Sequence, residues 1–313
     1  MKKKKTICII GSEKNDEVTL IKQKMTDKGT APVIFDFSEF PDKYRIEIRN
    51  GNYIINGVDI SEIDGAYINS FVIKPFTFKK YLDDWDRGEH EFMKYQVIER
   101  ENTSFKYSLI YFLISRGALV INHPQTYPYH AMKAYEYFLL KESELRFPDS
   151  ISSNDPEKLK LFIKTHSGEV LYKANVGGYL HTTLINAKII DEIKESLGVR
   201  PIMLQEYIPG YNIRCYILGD QFLCAGKILQ KEEYVDSRMG FKSIELIDLP
   251  KNIQKAVLKI TKTQGLIFSG VDLMYNEEKK EYYILECNSS PMFYNFEKHT
   301  KVPISLKLAE CFK

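Results

Sequence analysis

The spacing of hydrophobic residues predicts alternating strands and helices over the first third of the chain. The apolar run Thr6–Ile10 predicts a strand, and a helical repeat of apolar residues follows it. Two short apolar segments flank Asn50-Gly51, which is a strong β-hairpin signal. A second helical pattern, over 92–115, leads into another strand. These patterns predict an α/β domain over residues 1–122.

Strand-like segments dominate the rest of the chain. A break at Asn122-His123-Pro124 is followed by a predicted helix over 125–145, and the remaining pattern is typical of an α+β region with antiparallel hairpins. One hairpin is expected to turn at Gly219-Asp220. The predicted strands are 170–174, 202–208, 213–218, 221–229, 270–275 and 282–288, with helices over 156–165, 186–197 and 250–264.

Composition and charge exclude several classes of protein. The 313 residues include 44 Lys and Arg against 42 Asp and Glu, a net charge of +2 that disfavours an electrostatic nucleic-acid binder. The longest uncharged apolar run, 108–114, is too short to span a bilayer, and the apolar start stops at Gly11, unlike a signal peptide. Five scattered cysteines and six scattered histidines disfavour disulfides and Cys/His metal sites. We therefore expect a cytoplasmic protein without a nucleic-acid or membrane partner.

A pair of strands near the C terminus carries the sharpest chemical signal. If their turn is centred near Lys279, Asp272 lies directly opposite Glu286, and alternation places Asn288 on the same face. Opposed carboxylates repel one another unless a positive group lies between them. A solvated hairpin would also tolerate these acids, but both are embedded in apolar strands. The sequence therefore predicts a Mg²⁺ or Mn²⁺ site with oxygen ligands.

Several cationic and flexible segments could hold the phosphates of a nucleotide bound to such a metal. Lys173 ends a predicted strand just before Gly177-Gly178, a loop whose backbone N–H groups could cover phosphates. Lys133 lies on the helix that follows the break at Pro124. Each signal is weak by itself, since a Gly-Gly pair is usually a turn and a helix lysine is usually solvated.

Two further cations interrupt the apolar strands of the Gly219-Asp220 hairpin. With a two-residue turn, Arg214 and Lys227 are diagonal neighbours on one face, within reach of a shared anion. A solvated face is the ordinary explanation for either residue alone.

A strand–turn connector precedes this hairpin. Its residues Gln205, Glu206, Tyr207 and Ile208 could offer backbone groups to an adenine edge while Tyr207 and Ile208 pack against the ring. Spacing does not separate this possibility from a plain connector.

The motifs over residues 119–308, and the order in which they follow one another, resemble those of the ATP-grasp ligases, and within them the RimK-type group. The most specific similarity is in Gly270-Val271-Asp272-Leu273 and Leu285–Pro291, which resemble the metal signature of the family. The other similar segments are Asn122–Pro124 with Lys133, Val170–Lys173 with Gly177-Gly178, Gln205–Ile208, Asn212-Ile213-Arg214, and Gly219-Asp220.

The resemblance implies a fold, a cofactor and a reaction. It implies an N-terminal α/β pre-ATP-grasp domain followed by a two-lobed ATP-grasp fold, with lobes over 123–207 and 208–313 and with ATP and Mg²⁺ bound between them. The γ-phosphate would pass to a substrate carboxylate, and an amine or hydroxyl would attack the acyl phosphate. Arg214 and Lys227 would meet the transferred group.

The resemblance also assigns cofactor contacts and a substrate class. Lys133 and Lys173 would bind the other phosphates, and Asn212 would be a nucleotide contact at a position where many RimK-type enzymes have Asp. Met292 likewise replaces a usual Gly. The segment Phe35–Pro41 is loosely similar to the start of graspetide-type (microviridin) macrocyclases, which suggests a peptide carboxylate as substrate.

Three functions remain open at this point. The first is maturation of a ribosomal precursor peptide. The second is addition of an amino acid to a protein terminus or a small molecule, and the third is a non-catalytic ATP-binding regulator. The sequence leaves a homo-oligomer open as well.

Overall fold

The computed structural model describes residues 5–39, 43–70, 85–128, 132–168, 170–175, 181–231 and 241–313. The chain forms two compact units. The first unit comprises residues 1–124, 292–294 and 303–313, and the second comprises 125–291 and 295–302.

The elements in the described ranges are numbered along the chain. The strands are β1 Thr6–Ile10, β2 Val33–Phe35, β3 Ile46–Arg49, β4 Asn52–Ile55, β5 Val58–Asp59, β6 Ile63–Ile68, β7 Leu119–Ile121, β8 Ser150–Ser153, β9 Val170–Lys173, β10 Thr183–Ile185, β11 Ile202–Glu206, β12 Tyr211–Leu218, β13 Gln221–Gln230, β14 Phe241–Ile247, β15 Phe268–Asn276 and β16 Glu281–Asn288. The helices are α1 Asp16–Asp27, α2 Trp85–Ser115, α3 Lys133–Lys141, α4 Pro156–Thr165, α5 Ala187–Glu192, α6 Lys194–Leu197, α7 Lys251–Thr263, α8 Tyr294–Thr300 and α9 Ile304–Glu310.

The first unit is built on a parallel sheet with the strand order β2-β1-β6-β7. Four consecutive residues of β1, Ile7–Ile10, are buried, as expected for a strand whose two faces are both covered. A second sheet of order β3-β4-β5 begins with the predicted hairpin. Asn50 and Gly51 have φ angles of 53° and 79°, which a two-residue turn of this kind requires. The α/β prediction for this region is confirmed.

The second unit contains two antiparallel sheets, each covered by helices. The four-stranded sheet has the order β10-β9-β11-β8, and Leu159 and Ile163 of α4 pack against its buried residues. The five-stranded sheet has the order β14-β13-β12-β15-β16, and Val257 and Ile260 of α7 lie in its core. The predicted α+β character is thus confirmed.

Some predicted boundaries were wrong. The helix expected over 125–145 is observed as a 3₁₀ turn at Pro124–Thr126 and as α3. Strands β8, β10 and β14 were not predicted, because each lies at a sheet edge and therefore has a weaker apolar pattern than a central strand. No helix in the described ranges is both long and apolar enough to cross a bilayer. All five cysteines are free thiols.

Candidate active site

The hairpin of β15 and β16 brings two carboxylates and an amide together. Asp272 pairs directly with Glu286, and Gly270 pairs with Asn288, so the predicted pairing of the two acids is confirmed. The Asn288 Nδ2 group donates to Asp272 Oδ2 at 3.1 Å and to Glu286 Oε1 at 3.0 Å. The side chains of Asp272 and Glu286 are 19% and 30% exposed, which leaves the oxygen cluster accessible to a ligand.

A β-bulge creates this arrangement. The register shifts between Asp272 and Leu273, which makes Leu285 the extra residue of β16. Without the bulge, the register next to the turn would continue along both strands and place Glu286 opposite Val271. Glu286 would then lie on the face of the sheet opposite to Asp272. The bulge therefore aims the second carboxylate at the first.

Arg214 reaches the same cluster from the neighbouring strand. It lies opposite Asp272 on β12, and its Nε is 2.9 Å from Asp272 Oδ1. A Cβ atom at Gly270 would lie 2.8 Å from Arg214 Nη1 and 2.6 Å from Pro291 Cβ. Any larger residue at position 270 would therefore displace the Arg214 guanidinium.

The N-terminal turn of α3 supplies a buried lysine. Lys133 Nζ is 2.6 Å from Glu286 Oε2 and 2.8 Å from Glu136 Oε2. The second oxygen of Glu136 accepts a hydrogen bond from Cys287 N at 2.9 Å. Glu136 was not predicted as a site residue; the available signal was a glutamate one helical turn after Lys133, in a helix whose other residues between Lys133 and Lys141 are uncharged.

The second predicted phosphate lysine lies nearby on β9. Lys173 is paired with Met203 of β11, and the backbone N–H of Lys133 donates to Asn175 O at 3.3 Å just beyond β9. Electrostatic interactions link Lys173 to Glu286 and Asp272. Gly177 and Gly178, the predicted phosphate-covering loop, lie outside the described residues.

The predicted adenine connector begins as the end of β11. Gln205 is 1% exposed, and its side-chain Nε2 has no hydrogen-bond partner within the described ranges. The Glu206 carboxylate accepts from Asp149 N at 3.1 Å, while Glu206 N donates to Asp149 O at 2.8 Å. Ile208 is buried and Tyr207 is partly exposed. The side chain of Glu206 is thus hydrogen-bonded to the residue that precedes β8.

Asn212 lies two residues before Arg214 on β12, opposite Met274. Residues two apart on a strand share a face, so Asn212 and Arg214 face the same side of the sheet.

The predicted diagonal pairing of Lys227 with Arg214 is wrong. A register shift between Tyr216 and Ile217 places Lys227 opposite Ile213 and Arg214 opposite Gly226. A slip of one residue moves a side chain to the other face, so Lys227 faces away from Arg214. Its Nζ lies 3.8 Å from the centroid of the Tyr211 ring.

Burial and charge balance each other in the cluster. Burial raises the pKa of Asp272 to about 7, opposed by Arg214 and reinforced by Glu286. Burial also opposes ionisation of Glu286, but Lys133 and hydrogen bonds outweigh it and hold the pKa well below its ordinary value. Burial lowers the pKa of Lys173. The cations of the protein therefore do not fully stabilise the charged form of the Asp272 carboxylate.

The donor set fits a hard divalent cation. Two carboxylates and the side-chain oxygen of Asn288 are the ligand types that Mg²⁺ and Mn²⁺ prefer. A cation would counter both the burial and the repulsion by Glu286 that raise the pKa of Asp272. Within the described ranges no group of three or more His, Cys, Asp or Glu side chains is placed to hold a metal ion.

Comparisons with known proteins identify the family of the chain. The sequence model described as "RimK-like ATP-grasp domain" matches residues 132–312. The chain is 32% identical over 112 residues to a probable alpha-L-glutamate ligase of Histophilus somni (strain 2336), covering 34% of this chain and 37% of that protein. It is 30% identical over 128 residues to the tetrahydromethanopterin:alpha-L-glutamate ligase of Methanocaldococcus jannaschii, covering 39% and 43%. The chain thus spans less than half the length of these relatives.

Similarity to solved structures extends over nearly the whole chain. The ATP-grasp ligase PsnB complexed with a minimal precursor, Mg and ADP is 26% identical with a TM-score of 0.82, covering 98% of this chain and 96% of that one. The macrocyclase MdnC of Microcystis aeruginosa MRC, bound with precursor peptide MdnA, is 20% identical with a TM-score of 0.80, covering 98% and 99%, and supports the fold alone. The chain has an ATP-grasp fold and belongs to the RimK-like ATP-grasp family.

Proposed function

We propose that the protein is an ATP-dependent ligase that joins a carboxylate to an amine or hydroxyl through an acyl phosphate. Its substrate is a peptide or an amino acid, and maturation of a ribosomal precursor peptide is the version we favour. ATP is a cytoplasmic substrate, so the reaction is a cytoplasmic one. The cofactors are ATP and Mg²⁺, with Mn²⁺ as a substitute of the same coordination chemistry.

One observation carries this proposal. Asp272, Glu286 and Asn288 converge on one face of the five-stranded sheet, with Arg214 against Asp272 and Lys133 against Glu286. Oxygen ligands flanked by cations are the arrangement that transfer of a phosphoryl group to a carboxylate requires, because negative charge accumulates there.

Each side chain then has a distinct task. Asp272, Glu286 and Asn288 would hold Mg²⁺, which neutralises the charge of the bound phosphates. Lys133 and Lys173 bind phosphate oxygens, and Arg214 orients the group being transferred. The connector of Gln205, Glu206, Tyr207 and Ile208 binds adenine, and Asn212 contacts the nucleotide from the same face as Arg214.

We further propose that the two sheets of the second unit are the two lobes of the nucleotide site, over 123–207 and 208–313. The four-stranded sheet supplies Lys173 and the connector, whereas the five-stranded sheet supplies the carboxylates. Lys227 lies on the opposite face of the sheet from Arg214 and has no role in this scheme.

The extent of similarity favours a peptide over a free amino acid. PsnB, complexed with its precursor, matches 98% of the chain at 26% identity, including the N-terminal unit. The glutamate ligases match between 33% and 60% of the chain, at 25–34% identity. Addition of an amino acid to a protein terminus or small molecule is the second candidate.

The test is a screen for ADP release with Mg·ATP. Candidate peptides come from short open reading frames beside the gene, rich in Thr and Glu or Asp, and are compared with free amino acids. We expect ADP release together with loss of water from the peptide mass. Release with free amino acids alone would favour the second candidate, and nucleotide binding without turnover on any substrate would indicate a regulator.

A further inference from the structure

Glu136 occupies a position between the phosphate lysine and the strand that carries the metal ligands. It is 1% exposed, and each of its carboxylate oxygens has its own partner. Oε2 lies 2.8 Å from Lys133 Nζ, and Oε1 accepts from Cys287 N at 2.9 Å. Cys287 lies between Glu286 and Asn288, so one carboxylate spans from α3 to the edge of β16.

Each contact fixes a different element of the site. The N–H of Cys287 points away from the sheet at the edge strand β16, and Glu136 gives this buried donor its acceptor. The ammonium group of Lys133 has three N–H donors. Among the described residues, two of them bind Glu136 and Glu286. Two anchored donors fix the direction of the third, which is then available to a phosphate oxygen.

We infer that Glu136 is a positioning residue for nucleotide binding, acting through Lys133 and through the main chain between Glu286 and Asn288. Both of its carboxylate oxygens interact with protein donors, Lys133 Nζ and Cys287 N. The inference rests on the proposed function, because it assigns Lys133 to a phosphate. It extends the site by a residue 150 positions from Glu286 along the chain.

The chemistry distinguishes this role from simple core packing. Glu136→Gln keeps the shape and an oxygen acceptor for Cys287 N–H, but it replaces the charge beside Lys133 with a neutral amide. Glu136→Asp keeps the charge but is one methylene shorter, so it cannot hold both partners at once. A packing role predicts little change in nucleotide affinity from the first substitution, whereas a positioning role predicts a loss.

The experiment is a calorimetric titration of the full chain with Mg·ADP. We expect Glu136→Gln to weaken binding about tenfold or more, and Glu142→Gln, at the exposed end of the same helix, to leave it unchanged. In a Lys133→Met background the Glu136→Gln change should have much less effect, because the residue it acts through is already gone. An equal loss in both backgrounds would show that Glu136 does not act through Lys133, and it would overturn the inference.

The outcomes are separable. Magnesium-dependent binding by the wild type together with binding within twofold by Glu136→Gln would overturn the inference and leave the proposed function standing. A wild type without any magnesium-dependent ADP binding would overturn both. Thermal unfolding without ligand monitors folding of each variant. If Glu136→Gln is unfolded, Glu136→Asp replaces it, with the same weakening expected and wild-type affinity again overturning the inference.

Discussion

Two hairpins of the five-stranded sheet each contain a β-bulge, and the bulges act in opposite ways on the candidate site. In the β15–β16 hairpin the bulge at Leu285 turns Glu286 onto the face of Asp272. In the β12–β13 hairpin the shift beside Tyr216 turns Lys227 away from the face of Arg214. One bulge completes a cluster of charges and the other removes a charge from it.

The difference shows that register, rather than residue type, decides which charged side chains meet. Arg214 and Lys227 are both cations in apolar strands, yet the first pairs with Asp272 at 2.9 Å and the second lies over an aromatic ring. Bulges are often found beside functional sites because they re-aim a side chain.

The largest effect is expected from Glu286→Gln. The change keeps an oxygen for Asn288 but removes the charge that faces Lys133 and would hold the metal. Losing a group that merely orients a metal ligand costs about 10–100-fold in affinity or activity, so we expect a loss above about a hundredfold. ADP formation and magnesium-dependent nucleotide binding measure it.

Glu281→Gln is the matched control for that variant. Glu281 begins the same strand and pairs with Arg146 at 2.7 Å, before the bulge and away from the cluster. It should retain nearly full activity. An equal loss in both variants would show that the charge of the hairpin, rather than the face on which it lies, matters.

Much of this contrast could be predicted from sequence, but not all of it. A turn assumed to be centred near Lys279 paired Asp272 with Glu286 correctly, but the observed pairing next to the turn would place Glu286 opposite Val271, and the unpredicted bulge at Leu285 restores the pair. The bulge in β13 has no local signature, because Leu223, Cys224 and Ala225 would fit a regular strand equally well. Alternation therefore predicted the wrong face for Lys227.

Contacts between distant segments were also beyond prediction. The bond of Glu136 to Cys287 N joins residues 151 positions apart, and neither residue type suggests the other. Segment patterns predict elements because helix and strand periods are local, whereas the packing of α3 against β16 depends on the whole tertiary fold.

A smaller but clear effect is expected from Gly270→Ala. The added methyl group would meet Arg214 Nη1 at 2.8 Å and Pro291 Cβ at 2.6 Å, so the guanidinium must move. Overpacking of this kind costs about 1–3 kcal/mol of stability, and a displacement of about 1 Å in a site can cost a hundredfold in rate. We expect a tenfold to hundredfold loss of ADP formation, with unfolding by urea measured in parallel.

Gly198→Ala is the control, since among the described residues its added methyl group would approach Glu195 O alone, at 3.3 Å. It should change neither activity nor stability by a comparable amount. Full activity of Gly270→Ala would mean that the reaction does not depend on the exact position of Arg214. The opposite placement of Arg214 and Lys227 would then have no functional consequence.

The smallest effect is expected from Lys227→Met, and it tests the second hairpin directly. Because Lys227 faces away from Arg214, its removal should leave ADP formation within about threefold of wild type, whereas Arg214→Met should lower it by about a hundredfold or more. The cost of Lys227→Met should instead appear in stability. Loss of its cation–π contact with Tyr211 is worth about 0.5–1 kcal/mol, measurable by urea unfolding and absent in a Tyr211→Leu background. If Lys227→Met were as inactive as Arg214→Met, both faces of the hairpin would contribute to the reaction, and the bulge in β13 would not separate them.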